Sequence, residues 1–254
     1  MLLPPSAWPP KLQKQFRFLD KSYKKLVERG LENGMMRMMP RRKIAKVHGR
    51  TMVAGGFAVP KSAEEDRLIV PLSVNELIDP LKMPRPVFAY LPALRTTVVP
   101  RGRRLLISKR DARHYYHSLR LGKAWRPWLA LPAPGEKDDE AHDFPVVTTA
   151  PMGFGPSAGF AQGVTDLATK DMDERARLRY GVVAPPSLPI WGSIIDDMWV
   201  LECEEAGREP CGPTWLSRAT ARWGALGAEV NDMKTVDAET DQEIQGYWVD
   251  GRDS

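Results

Sequence analysis

Two adjacent aspartates, Asp196 and Asp197, lie inside an apolar segment that runs from Trp191 to Leu201. Carboxylates are almost never fully buried without a partner, and two like charges side by side repel each other. A hairpin whose tip presents both carboxylates to a divalent cation would tolerate this pair. A polar turn between two ordinary strands is the alternative, and the pair by itself leaves it open.

A third carboxylate, Asp111, follows the short apolar strand from Leu105 to Ser108. An aspartate at the end of one strand and aspartates at the tip of an adjacent hairpin can hold two cations about 3.5–4 Å apart. Such a pair of cations aligns the attacking and leaving oxygens of a phosphoryl transfer. Magnesium is the expected ion, because oxygen ligands suit it and substrate phosphates complete its octahedron.

The elements that must position these residues are predicted from periodicity and from turn and cap residues. The predicted strands are at 57–61, 67–70 and 105–108, with a hairpin at 189–203 and short extended pieces near 230 and 247–249. Helices are predicted over 11–33, from Ser157 as a cap to about Tyr180, and over 214–226. We predict a connector at 35–50 and a loop at 120–147. Helices and strands do not alternate regularly, which favours an α+β fold.

The composition is that of a globular chain, with 43% hydrophobic and 27% charged residues over 254 positions. The two cysteines and four scattered histidines do not form a zinc-binding pattern. No apolar run is long enough to span a bilayer, and the first residues lack the pattern of a signal peptide. We therefore expect an intracellular protein of cytoplasm or nucleus that is neither secreted nor bound to a membrane.

The charge is distributed unevenly along the chain. Residues 1–50 carry thirteen Lys and Arg against three Asp and Glu, whereas residues 229–254 carry two against eight. A basic segment with interspersed aromatic residues (Phe16, Phe18, Tyr23) suits a nucleic-acid backbone. The same residues are equally compatible with a solvated helix face.

Six segments of this chain occur in the same order as the motifs of one enzyme family. The segments are Phe57–Lys61 with Arg67–Ile69 and Asn75; Asp111–Tyr116; Pro151–Gly153 with Ser157 and Gln162; Ile194–Asp197; Gly224–Leu226 with Asn231 and Lys234; and Ile244–Tyr247. In this order they resemble the fingers hairpin, the palm motifs and the following short strand of retroelement reverse transcriptases. No single segment is specific, but their order and spacing are.

The resemblance implies a right-hand polymerase palm, an antiparallel sheet backed by helices, with a fingers subdomain and the thumb largely absent. It divides the chain into a basic N-terminal arm or helix at 1–54, a fingers hairpin region at 55–104 and a palm at 105–254. A fingers insertion is expected within the palm at about 118–148.

The resemblance also implies a metal site for template-directed DNA synthesis. Asp111 and Asp196 would be the principal ligands of two Mg²⁺ ions, with Mn²⁺ as a possible substitute, and Asp197 would add charge beside them. The expected partners are an RNA or DNA template–primer and deoxynucleoside triphosphates.

Further residues are implied to bind the incoming nucleotide. Lys61 and Arg67 would reach its triphosphate, assisted by the backbone near His114 and Tyr115. Tyr116 would pack under the sugar and exclude a 2′-hydroxyl. Met152 and Gly153 would lie close to nucleotide and template.

Lys234 matches the position of the family's candidate proton donor to pyrophosphate, while an ordinary surface lysine is the alternative at this position. The chain departs from the family pattern at Ile194, where an aromatic residue is usual, and at Ala150 and Met152. Two other functions are compatible with the sequence. One is an inactive, nucleic-acid-binding remnant of a retroelement, and the other is an unrelated metal-dependent hydrolase or nuclease with His114 or His117 as its base.

Overall fold

The computed structural model describes residues 1–12, 22–60, 66–70, 73–135, 137, 140–205 and 207–252. The helices within these ranges are α1 (Tyr23–Glu32), α2 (Tyr115–Ser118), α3 (Ser157–Ala168) and α4 (Cys211–Ala225). The strands are β1 (Met36–Pro40), β2 (Lys46–Val47), β3 (Arg50–Thr51), β4 (Phe57–Pro60), β5 (Asp66–Ile69), β6 (Leu105–Arg113), β7 (Asp143–Val147), β8 (Ile190–Ile194), β9 (Asp197–Cys203), β10 (Glu229–Val230), β11 (Val236–Glu239), β12 (Asp241–Ile244) and β13 (Tyr247–Asp250). None of the helices in these ranges is long and apolar enough to cross a membrane.

The chain divides into two compact units, each built from two separate stretches of sequence. The first unit comprises residues 1–84 and 116–157, and the second comprises residues 85–115 and 158–254. The fold is mixed, with helices and small antiparallel sheets. The division into arm, fingers and palm stays a prediction.

The first unit contains a sheet that the sequence did not predict. Strands β1 and β7 pair antiparallel, with Met36 opposite Val147 and Pro40 opposite Asp143. The predictions of a connector at 35–50 and a loop at 120–147 are therefore wrong in these stretches. Neither strand alternates between apolar and polar residues, and each contains a proline, which usually argues against a strand. Pairing with a partner about a hundred residues away supplies the hydrogen bonds that the local pattern did not indicate.

The predicted hairpin of β4 and β5 is confirmed. Its register runs from Phe57 opposite Ile69 to Pro60 opposite Asp66. The charged tip of this hairpin, residues 61–65, lies outside the described residues.

The second unit is built on a five-stranded antiparallel sheet in the order β10-β6-β9-β8, with β11 also paired to β6. Strand β6 is longer than predicted and continues through Asp111 to Arg113. One face of the sheet packs against α4, and a Cβ placed on Gly212 of that helix would be 2.9 Å from the Ser108 hydroxyl. The other face carries a buried cluster around Ile107, Trp199 and Leu201.

Helix α3 ends at Ala168, so the prediction that it runs to about Tyr180 is wrong. The residues after it make their backbone hydrogen bonds elsewhere. The carboxylate of Asp173 caps a separate 3-10 turn (Glu174–Ala176) by accepting from the Arg175 amide. The Leu178 amide then donates to the Trp191 carbonyl of β8 at 2.7 Å. The sheet competes successfully with the helix for these backbone groups.

Helix α4 begins at Cys211, three residues before its predicted start at 214. The carboxylate of Glu202 accepts from the amides of Cys211 and Gly212 at 2.7 and 2.8 Å. A carboxylate at a helix N-terminus satisfies amides that have no partner within the helix. This cap comes from β9, and a local sequence pattern cannot reveal it.

Candidate functional site

The three predicted metal-ligand residues meet at one end of the sheet in the second unit. The predicted hairpin is confirmed as β8 and β9, and Asp197, the first residue of β9, is the cross-strand partner of Asp111 in β6. Cross-strand partners share a face of the sheet, with Cβ atoms about 4.5–5.5 Å apart. Asp196 lies in the two-residue turn of the hairpin, and its carbonyl accepts from the Ala112 amide at 2.8 Å. The backbone thus places the three aspartates at the same end of the sheet.

The site concentrates negative charge. Burial, together with the charges of Asp111 and Asp196, raises the pKa of Asp197 to about 7. The nearby ammonium groups of Lys109 and Lys234 oppose this rise. Asp111 and Asp196 are therefore close enough to Asp197 for their charges to act on it.

Lys234 lies beside the carboxylates. Its Nζ donates to Oδ2 of Asp111 at 3.1 Å, from the 3-10 turn Asp232–Lys234. This turn connects β10 and β11, both of which pair with β6, and the Asn231 amide donates to the Asp111 carbonyl at 2.8 Å. The backbone that carries Lys234 is therefore anchored to the strand that carries Asp111.

The donor set of this cluster fits a hard divalent cation, because all its oxygens are carboxylate oxygens with excess negative charge. Among the residues that the structure describes, however, no three His, Cys, Asp or Glu side chains are arranged so that they could hold a metal ion. In this arrangement the Lys234 ammonium bonds one oxygen of Asp111.

Helix α3 holds the hairpin turn in place. The amide of Ile195 donates to Oε1 of Gln162 at 2.7 Å, and Nε2 of Gln162 donates to the Ser193 hydroxyl at 2.9 Å. The hydroxyl of Thr165 donates to the Ile195 carbonyl. Ile195 has φ +55°, which is strained for a β-branched residue and persists only when its surroundings enforce it.

Gln162 and Thr165 thus form a clamp on the hairpin turn, and the sequence alone assigns neither residue this role. Gln162 belongs to one of the family motifs, whereas Thr165 belongs to none of them. Both are at most 1% exposed within a helix whose other buried residues are small or apolar. A buried polar side chain in such a helix needs a hydrogen-bonding partner, and this was the available signal.

His114 and Tyr115 follow the Asp111 strand and were predicted to assist nucleotide binding through their backbone. His114 is exposed and has φ +48°. The Tyr115 side chain is buried, with its hydroxyl 2.8 Å from the Thr165 hydroxyl and its ring 5.5 Å from that of Trp223. Burial raises the pKa of Tyr115 to about 12. Its side chain therefore supports α3, and only its backbone remains for the predicted role.

Four residues predicted to bind nucleotide belong to the first unit: Arg67, Tyr116, Met152 and Gly153. Arg67 is exposed on β5 opposite Val59, and Tyr116 is partly exposed in α2. Lys61 lies outside the described residues. The nucleotide-binding roles of all these residues stay predictions.

The turn that contains Met152 and Gly153 is held by residues near the β4–β5 hairpin. The Met152 carbonyl accepts from the Val70 amide at 2.7 Å. The Asn75 side chain donates to the Gly153 carbonyl at 2.6 Å and accepts from the Gly155 amide at 2.9 Å. Gly153 has φ +99°, a conformation that favours glycine. Asn75 therefore fixes the shape of this turn, although it lies about 80 residues before the turn in sequence.

No protein-family model and no curated protein matches this chain. Solved structures do match it. A foamy viral protease–reverse transcriptase in complex with double-stranded DNA superposes with a TM-score of 0.64 at 15% identity over 96% of this chain. A dRH form of that protein, also with double-stranded DNA, gives 0.64 and 15% over 96%. The native prototype foamy virus enzyme gives 0.61 and 16% over 95%.

The chain spans less than half of each of these proteins, namely 44%, 36% and 28% of their lengths in the order given above. At this level of identity the likeness concerns the fold. The structure therefore has a reverse-transcriptase-like fold, in agreement with the resemblance stated from the motifs.

Proposed function

We propose that this chain carries out template-directed DNA synthesis as part of a retroelement reverse transcriptase. The supporting observation is the cross-strand pairing of Asp111 with Asp197, next to Asp196 on a clamped hairpin turn, within a reverse-transcriptase-like fold. Three carboxylates on one end of a sheet suit the binding of two divalent cations and a triphosphate.

Asp111 and Asp196 would hold Mg²⁺ or Mn²⁺, and Asp197 would add negative charge beside them. When bound, the cations would activate the primer 3′-hydroxyl and neutralise charge on the phosphates. The clamp from Gln162 and Thr165 would keep the hairpin carboxylates in position. Lys234 would donate a proton to the leaving pyrophosphate.

The remaining roles follow the family resemblance. Arg67 and Lys61 would neutralise the triphosphate, since guanidinium and ammonium groups bind phosphate oxygens by charge-assisted hydrogen bonds. The backbone at His114 and Tyr115 and the turn at Met152 and Gly153 would approach the nucleotide. Tyr116 would select a deoxyribose by leaving no room for a 2′-hydroxyl.

Primer extension on a primed RNA template, with Mg²⁺ and the four deoxynucleotides, tests the activity. Asp196→Asn should lower the rate on the order of a hundredfold or more, because the ligand charge is lost. Asp250→Asn, an exposed aspartate on β13, is the matched control and should leave the rate unchanged. Absence of extension by folded wild-type protein would refute the proposed activity.

The role of Tyr116 has its own test. Tyr116→Ala should increase the incorporation of ribonucleotides relative to deoxynucleotides, because the ring that blocks the 2′-hydroxyl is removed. Tyr116→Phe retains the ring and should retain the discrimination. Equal discrimination in the alanine variant and the wild type would rule out this role.

A second candidate function is a retroelement-derived protein that binds nucleic acid without catalysis. One observation favours it: among the described residues, no three ligand side chains are arranged so that they could hold a metal ion. This candidate predicts salt-dependent binding of nucleic acid that is unaffected by Asp111→Asn or by Mg²⁺, together with no primer extension.

A further inference from the structure

We propose that Lys234 is a built-in counter-ion of the carboxylate cluster, and that its ammonium group leaves Asp111 when a divalent cation binds. The inference rests on the proposed function, because it concerns the same carboxylates. It assigns Lys234 a role before catalysis, as the cation that accompanies Asp111 in the metal-free protein.

The position of the ammonium group supports this role. Nζ of Lys234 lies 3.1 Å from Oδ2 of Asp111, so the ion pair occupies an oxygen of a residue that the proposed function assigns to metal binding. Asp111 also faces Asp197 across the strands, and the charge of Asp111 contributes to the raised pKa of that neighbour. An ammonium group beside this cluster reduces the repulsion between carboxylates in the metal-free protein.

The Lys234 side chain is able to leave. It is 57% exposed, whereas the Asp111 side chain is only 21% exposed. Its backbone is held by hydrogen bonds of the 231–234 segment, with the Lys234 amide donating to the Asn231 carbonyl at 2.9 Å. A flexible side chain on an anchored backbone can swing into solvent without moving the strands.

The second lysine near the cluster is not placed for this role. Nζ of Lys109 donates to the Glu243 carbonyl at 2.8 Å, which holds it on the β12 side of the sheet. Lys109 therefore affects the carboxylates only through its charge, whereas Lys234 bonds one of them directly.

Displacement of Lys234 must reduce the apparent affinity for a divalent cation. A cation that replaces an ion pair has to supply the free energy of that pair in addition to its own binding. A partly exposed pair contributes about 0.5–1.4 kcal/mol, which corresponds to a reduction of roughly two- to tenfold in affinity.

Mn²⁺ titration of the full chain, followed by calorimetry without nucleotide or nucleic acid, tests the inference. Lys234→Met removes the charge while keeping most of the side-chain length, and it should bind Mn²⁺ roughly two- to tenfold more tightly than the wild type. Lys234→Arg keeps the charge and should stay near the wild type. Lys170→Met, an exposed lysine of the same unit, should leave the affinity unchanged.

Two further readouts are independent of the calorimetric titration. Mn²⁺ should raise the melting temperature of Lys234→Met more than that of the wild type, because the metal-free variant lacks its counter-ion. A crystal structure with Mn²⁺ should show Nζ of Lys234 beyond hydrogen-bonding distance of Oδ2 of Asp111.

The outcomes separate this inference from the proposed function. Mn²⁺ binding that Asp196→Asn abolishes but Lys234→Met leaves unchanged would overturn the counter-ion role while leaving the proposed function intact. Weaker binding by Lys234→Met would also overturn it. Absence of Mn²⁺ binding by the wild type and by every variant would overturn both the counter-ion role and the proposed function.

Discussion

Asp197 has a pKa well above the usual range of an aspartate. Burial and the charges of Asp111 and Asp196 raise its pKa from 3.8 to about 7. Between these two pH values the folded protein holds a proton that the unfolded chain has already released. Stability therefore decreases as the pH rises through this interval and is constant above it.

We predict that Asp197→Asn removes this pH dependence. Without divalent ions, its free energy of unfolding should exceed that of the wild type by about 4 kcal/mol above pH 7, since the variant carries no buried charge. The difference should shrink as the pH falls and vanish below pH 3.8, where the wild-type carboxyl becomes neutral in both states. Urea unfolding with a chelator present, repeated across this pH range, measures the difference.

Asp250→Asn is the control for this measurement, because the Arg252 hydrogen bond lowers the pKa of Asp250 and so gives the opposite sign. The stability contribution of Asp250 is present above its unfolded pKa and is lost only as the pH falls below it. A wild-type protein whose stability relative to Asp197→Asn is independent of pH would contradict the raised pKa.

Ile195 gives a second test at the level of a single residue. Its φ of +55° is strained for any residue with a Cβ, and most strained for a β-branched one. Ile195→Gly and Ile195→Ala both delete the side chain, but only glycine relieves the strain. We predict that the glycine variant is about 1 kcal/mol more stable than the alanine variant in urea unfolding. Equal stability would mean that the turn relaxes to negative φ in the alanine variant.

At the level of elements, the hairpin tip depends on a neighbouring helix as much as on its own strands. Gln162 and Thr165, one helical turn apart on α3, contact the backbone on both sides of the Ile195 peptide. The Tyr115 hydroxyl contacts Thr165 in turn. This chain of contacts joins the end of the Asp111 strand, the helix and the hairpin, so the carboxylates are positioned by three elements together.

Gln162→Ala should lower the free energy of unfolding by about 2–3 kcal/mol, because it leaves the Ile195 amide and the Ser193 hydroxyl without this partner. It should also reduce primer extension at temperatures where the variant is fully folded, since the turn loses a restraint. Urea unfolding and primer extension on the same preparation separate the two effects.

Leu167→Ala on the same helix is the matched control for the clamp. Leu167 is 50% exposed, so its truncation should change the free energy of unfolding by less than about 0.5 kcal/mol. A Gln162→Ala variant as stable and as active as this control would show that the hydrogen bonds do not restrain the turn.

At the level of the whole molecule, positive charge is concentrated near the beginning of the chain. Residues 37–50 contain six Lys and Arg and no Asp or Glu. In the structure they span β1 to β3 of the first unit, and Arg37, Arg42, Lys43, Lys46 and Arg50 are all exposed. This stretch suits the phosphate backbone of the proposed template–primer.

Reversal of two charges in this stretch should weaken nucleic-acid binding. The slope of log affinity against log salt concentration is negative for a protein that contacts phosphates. Arg42→Glu with Lys43→Glu should make this slope less steep by about 2, because each phosphate contact contributes about 0.9 to its magnitude. Lys170→Glu with Arg218→Glu makes the same charge change on exposed residues of the second unit. Fluorescence anisotropy at several salt concentrations measures the affinity of both double variants for nucleic acid. An identical loss of affinity in the two would indicate an effect of net charge alone.

The local sequence was sufficient to predict elements whose pattern and turn are close together in the chain. The hairpins of β4 with β5 and of β8 with β9 are of this kind, as is the strand that leads to Asp111. The order of the motifs was sufficient for a reverse-transcriptase-like fold, because that order reflects how the elements follow one another.

Only the tertiary structure decided the features that depend on distant partners. The pairing of β1 with β7 depends on residues about a hundred positions apart in sequence. The early start of α4 at the Glu202 carboxylate and the end of α3 depend on contacts with the neighbouring strands β9 and β8. The clamp on Ile195 and the ion pair between Lys234 and Asp111, which are 123 residues apart, likewise depend on contacts between elements. A hydrogen bond or ion pair forms wherever the fold brings a donor close to an acceptor. The local periodicity of the sequence does not indicate which donor and acceptor the fold will bring together.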